Sequence, residues 1–223
     1  MNILICGFGV FGRKHAEAWK KTAVDCKLLV ADSNPEMRKA AVEAGCNFED
    51  VGDFNDLISR ADIVDIVTTS ESHFDLATAS LSTGKPTLIE KPAVKSIEEA
   101  KFLKYTSEER GVPVQIQFVL RAHPLVSLAQ EVISAGTIGR LVAMDGVFTG
   151  WKRMRPDASI LENDGVHMLD LMRLFAKAPP DDFNVSAERL LGGSVPETMH
   201  LKLMFPNEIK AWLKLGVTFG GKQ

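Results

Sequence analysis

Gly7, Gly9 and Gly12, in the run Gly7-Phe8-Gly9-Val10-Phe11-Gly12, follow the apolar stretch Ile3–Cys6 and lead into a helical pattern. A backbone without Cβ atoms can lie against an anion, and a helix N-terminus offers that anion free N–H groups, so this spacing serves the pyrophosphate of a dinucleotide. Three spaced glycines alone are a weak signal. Their place between a strand and a helix, with Asp32 twenty residues after Gly12, makes the signal specific. A carboxylate there accepts ribose hydroxyls and repels a 2′-phosphate, which favours NAD, while Ser33, Asn34 and Arg38 leave NADP open. Two other readings remain: a glycine turn without a ligand, and Asp32 as a capping residue ahead of Pro35.

These residues need a scaffold, and the first half of the chain supplies the pattern of one. Short β-rich runs alternate with helical segments: strands Asn2–Cys6, Lys27–Ala31, Ile63–Val67, Thr87–Ile89 and Val114–Phe118, with a short segment around Phe48. Helices are expected over Arg13–Lys21, Pro35–Ala44, Phe54–Ser59, Phe74–Thr83 and Ser96–Arg110, the last with Ser96 and Glu99 spaced as a capping box. This predicts a doubly wound parallel sheet, a Rossmann domain over residues 1–119. Over 120–223 the pattern changes to helices around Leu125–Ala135 and Gly165–Ala176, a strand near Leu141–Phe148, and alternating strands through Met199–Phe205 and Ile209–Leu215. The reading is a smaller α+β domain with an open antiparallel sheet.

Composition narrows the function classes. The 26 Lys and Arg against 29 Asp and Glu leave a formal charge of −3, without the positive field that gathers nucleic acid. Cys6, Cys26 and Cys46 are odd in number and lack metal-ligand spacing, which argues against a disulfide framework and a zinc site and fits a reducing cytoplasm. Met1 leads directly into an apolar strand without a basic leader, and no apolar stretch reaches membrane-spanning length, so neither export nor a membrane span is expected.

Further along, Glu90-Lys91-Pro92 ends a strand after His73 and Gly84-Lys85. With Gly7–Gly12, Ile63–Thr69, Arg121-Ala122-His123-Pro124, Gly136-Thr137-Ile138-Gly139 and Asn163-Asp164-Gly165-Val166-His167-Met168-Leu169-Asp170, it resembles the Gfo/Idh/MocA oxidoreductase family over nearly the whole chain. The resemblance implies a Rossmann domain, then an α/β domain whose open sheet carries oligomer contacts. It also implies oxidation or reduction of a hydroxyl–ketone pair on a sugar, polyol or related small molecule. Lys91 and the Asn163–His167 segment would face the nicotinamide from a pocket between the domains. Thr68, His73, Glu90 and Lys91 would join Gly7–Gly12, Asp32 and Ser33 on the cofactor side.

Removing a hydride from a carbinol carbon requires that the hydroxyl proton leave too, so the site needs a base and a positive donor for the developing alkoxide. Under the resemblance, His167 is the base, since imidazole titrates near neutrality, and Lys91 orients the oxygen or relays the proton. Asn163, Asp164, Arg121 and Trp151 are expected on the substrate side. Asn163 stands where many relatives carry Asp, which suits binding a substrate hydroxyl. Simpler roles stay open: a solvated strand-end Lys91, a helix-start His167, an ion-paired Arg121, and His15 and His200 as packing or capping and strand-face residues. Asp170 reads as structural.

The resemblance implies a longer second sheet than the one this chain carries after Val217. On the last strand Lys210, Trp212 and Lys214 share the face opposite Ile209, Ala211 and Leu213, and a tryptophan between lysines points to a homodimer or higher oligomer through that sheet. The leading expectation is an NAD-dependent dehydrogenase on a sugar-like or polyol substrate. The alternatives are the same fold acting on a nucleotide-linked sugar, an imine or a tetrapyrrole-like compound, and a nicotinamide-binding regulatory protein without turnover.

Overall fold

The apolar run Asn2–Cys6 forms β1 and buries side chains to both sides. Ile3 and Ile5 pack with Phe8, Ala16, Leu28 and Val30 on one face, while Leu4 and Cys6 pack with Ile58, Val64, Ile66, Ala77 and Leu81 on the other. Such two-sided burial is what a parallel sheet between helix layers demands. The structure, a computed structural model, describes residues 1–22, 25–50, 52, 54–151, 159–192 and 195–218.

The chain divides into two units, Met1–Gln117 and Phe118–Gln223. The first runs β1, α1 (Val10–Thr22), β2 (Lys27–Ala31), α2 (Met37–Glu43), β3 (Asn47–Glu49), α3 (Phe54–Ser59), β4 (Ile63–Ile66), α4 (His73–Ser82), β5 (Thr87–Ile89), α5 (Ile97–Arg110) and β6 (Val114–Ile116). Its six strands stand in the order β3-β2-β1-β4-β5-β6, all parallel. The order reverses between β1 and β4, and in such sheets ligands bind beyond the strand ends at that point.

Several element boundaries differ from the sequence expectation for local reasons. α1 opens at Val10 rather than Arg13, because Arg13 N–H already bonds Gly9 O at 3.2 Å. α2 opens at Met37, since Pro35 and Glu36 form a turn in which the Asn34 side chain accepts the Glu36 N–H at 3.0 Å. At α5 the Ser96 hydroxyl accepts Glu99 N–H at 3.1 Å, while the Glu99 carboxylate reaches Lys95 N–H rather than that of Ser96. Gly111, left-handed at φ 63°, ends that helix.

The second unit runs through a 3₁₀ turn (Val119–Ala122), α6 (Pro124–Ser134), β7 (Ala143–Thr149), a π-turn (Leu161–Gly165), α7 (Val166–Ala176), β8 (Asp182–Glu188), β9 (Thr198–Phe205), a short turn and β10 (Ile209–Gly216). The sheet order is β7-β10-β9-β8. The expected antiparallel sheet is corrected here to a mixed one: β9 pairs antiparallel with β8 and β10, but β7 pairs parallel with β10. Alternating burial encodes a face, not a strand direction, so the sequence pattern fits either arrangement. Leu201, Leu203, Phe205, Ala211, Leu213 and Leu215 form the core with Met172 of α7, and Gly146 on β7 lets the Met172 side chain lie against the strand. The opposite face presents Lys202, Lys210 and Trp212, which is 42% exposed. Among the described residues, no helix is long and apolar enough to cross a membrane.

Candidate functional site

In the first unit the glycine loop turns out of β1 and into α1. Gly7 sits at φ +93°, and a Cβ there would lie 2.8–2.9 Å from the backbone of Val67 and Thr68. At Gly12 a Cβ would lie 2.1 Å from the Gly7 carbonyl oxygen. These two glycines are therefore demanded by the chain's own packing. Gly9 differs: a Cβ there meets nothing within 4 Å. Among the described residues, Gly9 thus faces open space, where a backbone without a Cβ leaves room for a ligand to approach.

The helix behind the loop is built to receive an anion. α1 has no acidic residue in its first turn and carries Lys20 and Lys21 in its last, leaving its N-terminal dipole uncompensated by the chain. Phe8 points its ring into the core, whereas Val10 and Phe11 are exposed, so these three would serve a ligand through backbone rather than rings. Asp32 accepts Phe8 N–H at 2.6 Å and Asn34 N–H at 2.8 Å, tying the end of β2 to the loop. Ser33 follows, exposed. Arg38 pairs with Asp50 and stacks 4.9 Å from the Phe48 ring.

Across the switch point, the Thr68 hydroxyl accepts from Ser72 at 2.7 Å. His73 is buried, with ring nitrogens 2.8 Å from the Pro92 carbonyl and 3.1 Å from the Thr68 carbonyl. His73, expected on the cofactor side, thus ties the Pro92 carbonyl to Thr68 past the end of β4. Glu90 leaves β5 with its N–H on Ile66 O, and one of its carboxylate oxygens accepts the Lys91 N–H at 3.0 Å. Lys91 itself is half-buried.

The other Glu90 oxygen leads to a cluster of residues far apart in the sequence. His15 Nε2 lies 3.1 Å from Glu90, its Nδ1 lies 3.0 Å from Asp65, and Trp19 donates to the same Asp65 at 2.6 Å. Burial would depress the imidazole pKa, but the hydrogen bonds to Asp65 and Glu90 override it and push it up to about 9. His15 is thus no simple packing or capping residue.

In the second unit, Ser159 and Glu162 cap the turn reciprocally, at 2.8 and 3.2 Å. The π-turn follows, and its Gly165 has no room for a Cβ beside Leu215 and Leu161. Asn163 donates to Asp164 at 3.2 Å, and Asp164 is buried. Asn163 lies in the π-turn and His167 in the first turn of α7, which follows it without a break. His167 stands edge-on to Phe118 at 6.4 Å, and Phe118 also receives the Arg121 guanidinium at 5.7 Å. Arg121 grips the buried Asp170 with two bonds, 2.6 and 2.7 Å, which raises its pKa. A substrate contact by Arg121 would thus compete with this ion pair to Asp170. His123 caps α6 through Leu125 N–H at 3.2 Å. Trp151 is 73% exposed and bridges to Thr218, while Lys152–Arg155, next in the sequence, lie outside the described residues. Among the described residues, no group of His, Cys, Asp or Glu could hold a metal ion.

Comparison with known proteins adds an independent line. Residues 1–118 match the family described as an oxidoreductase family with an NAD-binding Rossmann fold. A levoglucosan dehydrogenase of Pseudarthrobacter phenanthrenivorans is 29% identical over 161 residues, 66% of this chain and 40% of that protein. A UDP-N-acetylglucosamine 3-dehydrogenase of Acidithiobacillus ferrooxidans is 30% identical over 182 residues, 82% of this chain and 56% of that protein. The chain spans about half the length of the curated relatives it matches. In structure, the Acidithiobacillus enzyme superposes with a TM-score of 0.88 at 25% identity, over 100% of this chain and 69% of that one. A scyllo-inositol dehydrogenase from Lactobacillus casei gives a TM-score of 0.89 at 21% identity, over 100% and 70%, and so speaks to the fold. With a family match over more than half of the chain, on the very segment that holds the glycine loop, Asp32 and Glu90-Lys91-Pro92, the chain belongs to the Gfo/Idh/MocA oxidoreductase family.

Proposed function

We propose that this chain is an NAD-dependent oxidoreductase of the cytoplasm acting on a hydroxyl or keto carbon of a sugar, polyol or nucleotide-linked sugar. The observation that carries the reading is the glycine loop, in which Gly7 and Gly12 are fixed by packing while Gly9 faces open space at the N-terminus of α1. The first-turn amides of α1 would hold the pyrophosphate, and Asp32 the ribose. Bound there, the dinucleotide would supply the hydride acceptor for a carbinol carbon, or the hydride donor in reverse. Of the chain's own residues, Lys91 would supply an ammonium for a developing alkoxide, and His167 an imidazole that takes the O–H proton as the C=O bond forms. Asn163 and Asp164 supply polar contacts for substrate hydroxyls, with Trp151 as an apolar wall and Arg121 shared with Asp170.

Relatives named for levoglucosan, inositol and UDP-N-acetylglucosamine support the substrate class. A levoglucosan dehydrogenase whose structure holds NADH and levoglucosan shares the fold. Asp32 and the engagement of Arg38 with Asp50 favour NAD over NADP. The test is a panel of levoglucosan, myo-inositol, scyllo-inositol and UDP-N-acetylglucosamine with NAD⁺ or NADP⁺, read as reduced-cofactor absorbance. At least one compound is expected to turn over, with NAD⁺ preferred by about tenfold or more, since a 2′-phosphate beside Asp32 is a like-charge clash. NADH binding without turnover on any of these compounds would leave a dinucleotide-binding protein instead.

The open face of the second-unit sheet, where Trp212 stands among Lys202, Lys210 and Lys214, fits contact with a second copy of the chain. Sedimentation velocity at micromolar concentration is expected to show a dimer or larger species, and a monomer would remove this assignment.

A further inference from the structure

The cluster around His15 has a chemistry that the proposed reaction does not use. Both of its ring nitrogens face carboxylates: Nδ1 lies 3.0 and 3.1 Å from the two Asp65 oxygens, and Nε2 lies 3.1 Å from Glu90 Oε1. An ionised carboxylate only accepts, so both nitrogens must donate, and an imidazole donates from both only as the cation. A neutral ring would aim a lone pair at one carboxylate or force a proton onto it. Asp65 is fully buried and also accepts from Trp19 at 2.6 Å, so it needs a positive partner where it stands.

Glu90 is then held from two directions. One oxygen faces His15, and the other accepts the Lys91 N–H at 3.0 Å. On the far side of Lys91, the Pro92 carbonyl lies 2.8 Å from His73. Lys91 is thus bracketed by two histidines, one acting through Glu90 and one through Pro92. We propose that His15 is a positioning residue: as an imidazolium between Asp65 and Glu90 it fixes the Glu90 carboxylate, and Glu90 in turn fixes Lys91. The effect on turnover rests on the reading of Lys91 given above, whereas the hydrogen-bond relay does not. Because His15 follows Gly12 by three residues on α1, the relay also ties the phosphate-loop helix to the Glu90-Lys91 segment.

The groups facing His15 are Asp65 from β4, Glu90 from the end of β5 and Trp19 from α1 itself. For Cys6 on β1, burial followed by the Asp65 charge pushes the thiol far above the ordinary range, so it stays neutral. Losing the His15 proton would leave Asp65 and Glu90 as neighbouring anions without their shared cation, and the Glu90 carboxylate would reorient. His15 and Trp19 also line a groove of about 410 Å³ with Ile63, Thr87 and Gln117.

The full chain, labelled with ¹⁵N, tests this without a substrate. At pH 7 both ring nitrogens of His15 should be protonated, and titration to pH 10 should show one transition near pH 9 shared by the ring and the Lys91 amide. His15→Gln should abolish the transition of the Lys91 amide. A neutral His15 ring at pH 7, or a Lys91 amide indifferent to the titration of His15, overturns the proposal. The wild-type titration decides this even if the variant fails to fold.

The turnover arm uses whichever panel compound is oxidised. His15→Gln should lower kcat by about 10- to 100-fold, as misplacement of a reacting group does, with KM for NAD⁺ within about threefold. A KM for NAD⁺ raised as far as kcat falls would overturn the proposal by showing that His15 merely shapes α1. If the wild type oxidises nothing in the panel, the functional reading fails, and the ¹⁵N titration still decides the relay.

Discussion

Lys91→Ala is expected to lower kcat/KM for the oxidised panel compound by about 10²- to 10³-fold while leaving NADH affinity within about threefold. The magnitude follows from what a single donor at a developing oxyanion contributes. The selectivity follows from placement: Lys91 follows a strand end whose neighbours Glu90 and Pro92 are already anchored to His15 and His73, so losing the amine should not release the segment. Lys91→Arg should recover little, because a planar guanidinium places its charge and its donors differently from an ammonium on a four-carbon stem. Stopped-flow kinetics beside a fluorescence titration with NADH separate the two effects. Activity within about twofold of wild type in Lys91→Ala would remove Lys91 from the chemistry.

The glycine loop makes the second large prediction, through a contrast between two positions three residues apart. In Gly12→Ala the new methyl group would sit 2.1 Å from the Gly7 carbonyl oxygen, and Gly7 cannot yield, being pinned at φ +93° with its N–H on Ala31 O and Val67 against it. The variant should lose about 3 kcal/mol or more of stability, as overpacking against backbone does, and melt earlier. Gly9→Ala meets nothing within 4 Å, so its melting temperature should stay near that of the wild type. Its affinity for NADH should nevertheless fall by about tenfold or more, because the methyl group occupies the approach of the pyrophosphate. Thermal melts paired with NADH titrations check both. Undiminished NADH binding by Gly9→Ala would mean that no dinucleotide lies over this loop.

What could be read in the sequence was what is local. The glycine loop, Asp32 and the Ser96 cap each act within a few residues or at a fixed offset, and each stands where its spacing put it. The His15 cluster was not legible. Its members stand 50 and 75 positions apart, and only the parallel order β1-β4-β5 brings Asp65 and Glu90 under α1. The direction of β7 was hidden for a different reason, since alternation marks which face is buried and is the same whether a neighbour runs parallel or antiparallel. The π-turn over Leu161–Gly165 was hidden as well: an extra residue in a helical turn changes no hydrophobic period long enough to detect. Arg121 and Asp170 were both noticed, but nothing in a spacing of 49 residues says that they meet.

The parallel pairing of β7 with β10 also sets a clock on how the protein is made. Ala143 finds its partner only when Lys210 has emerged, after α7, β8 and β9 have all been synthesised. At about 5–20 residues per second, β7 waits on the order of several seconds on the ribosome with its ladder groups unpaired and Phe148 uncovered. The hairpin of β9 and β10 closes within a short turn as soon as it appears, so the sheet grows from its last-made strands back toward its first. Slowing elongation within this stretch prolongs the exposure of β7, and it is there that nascent chains of this protein would be most open to capture by chaperones.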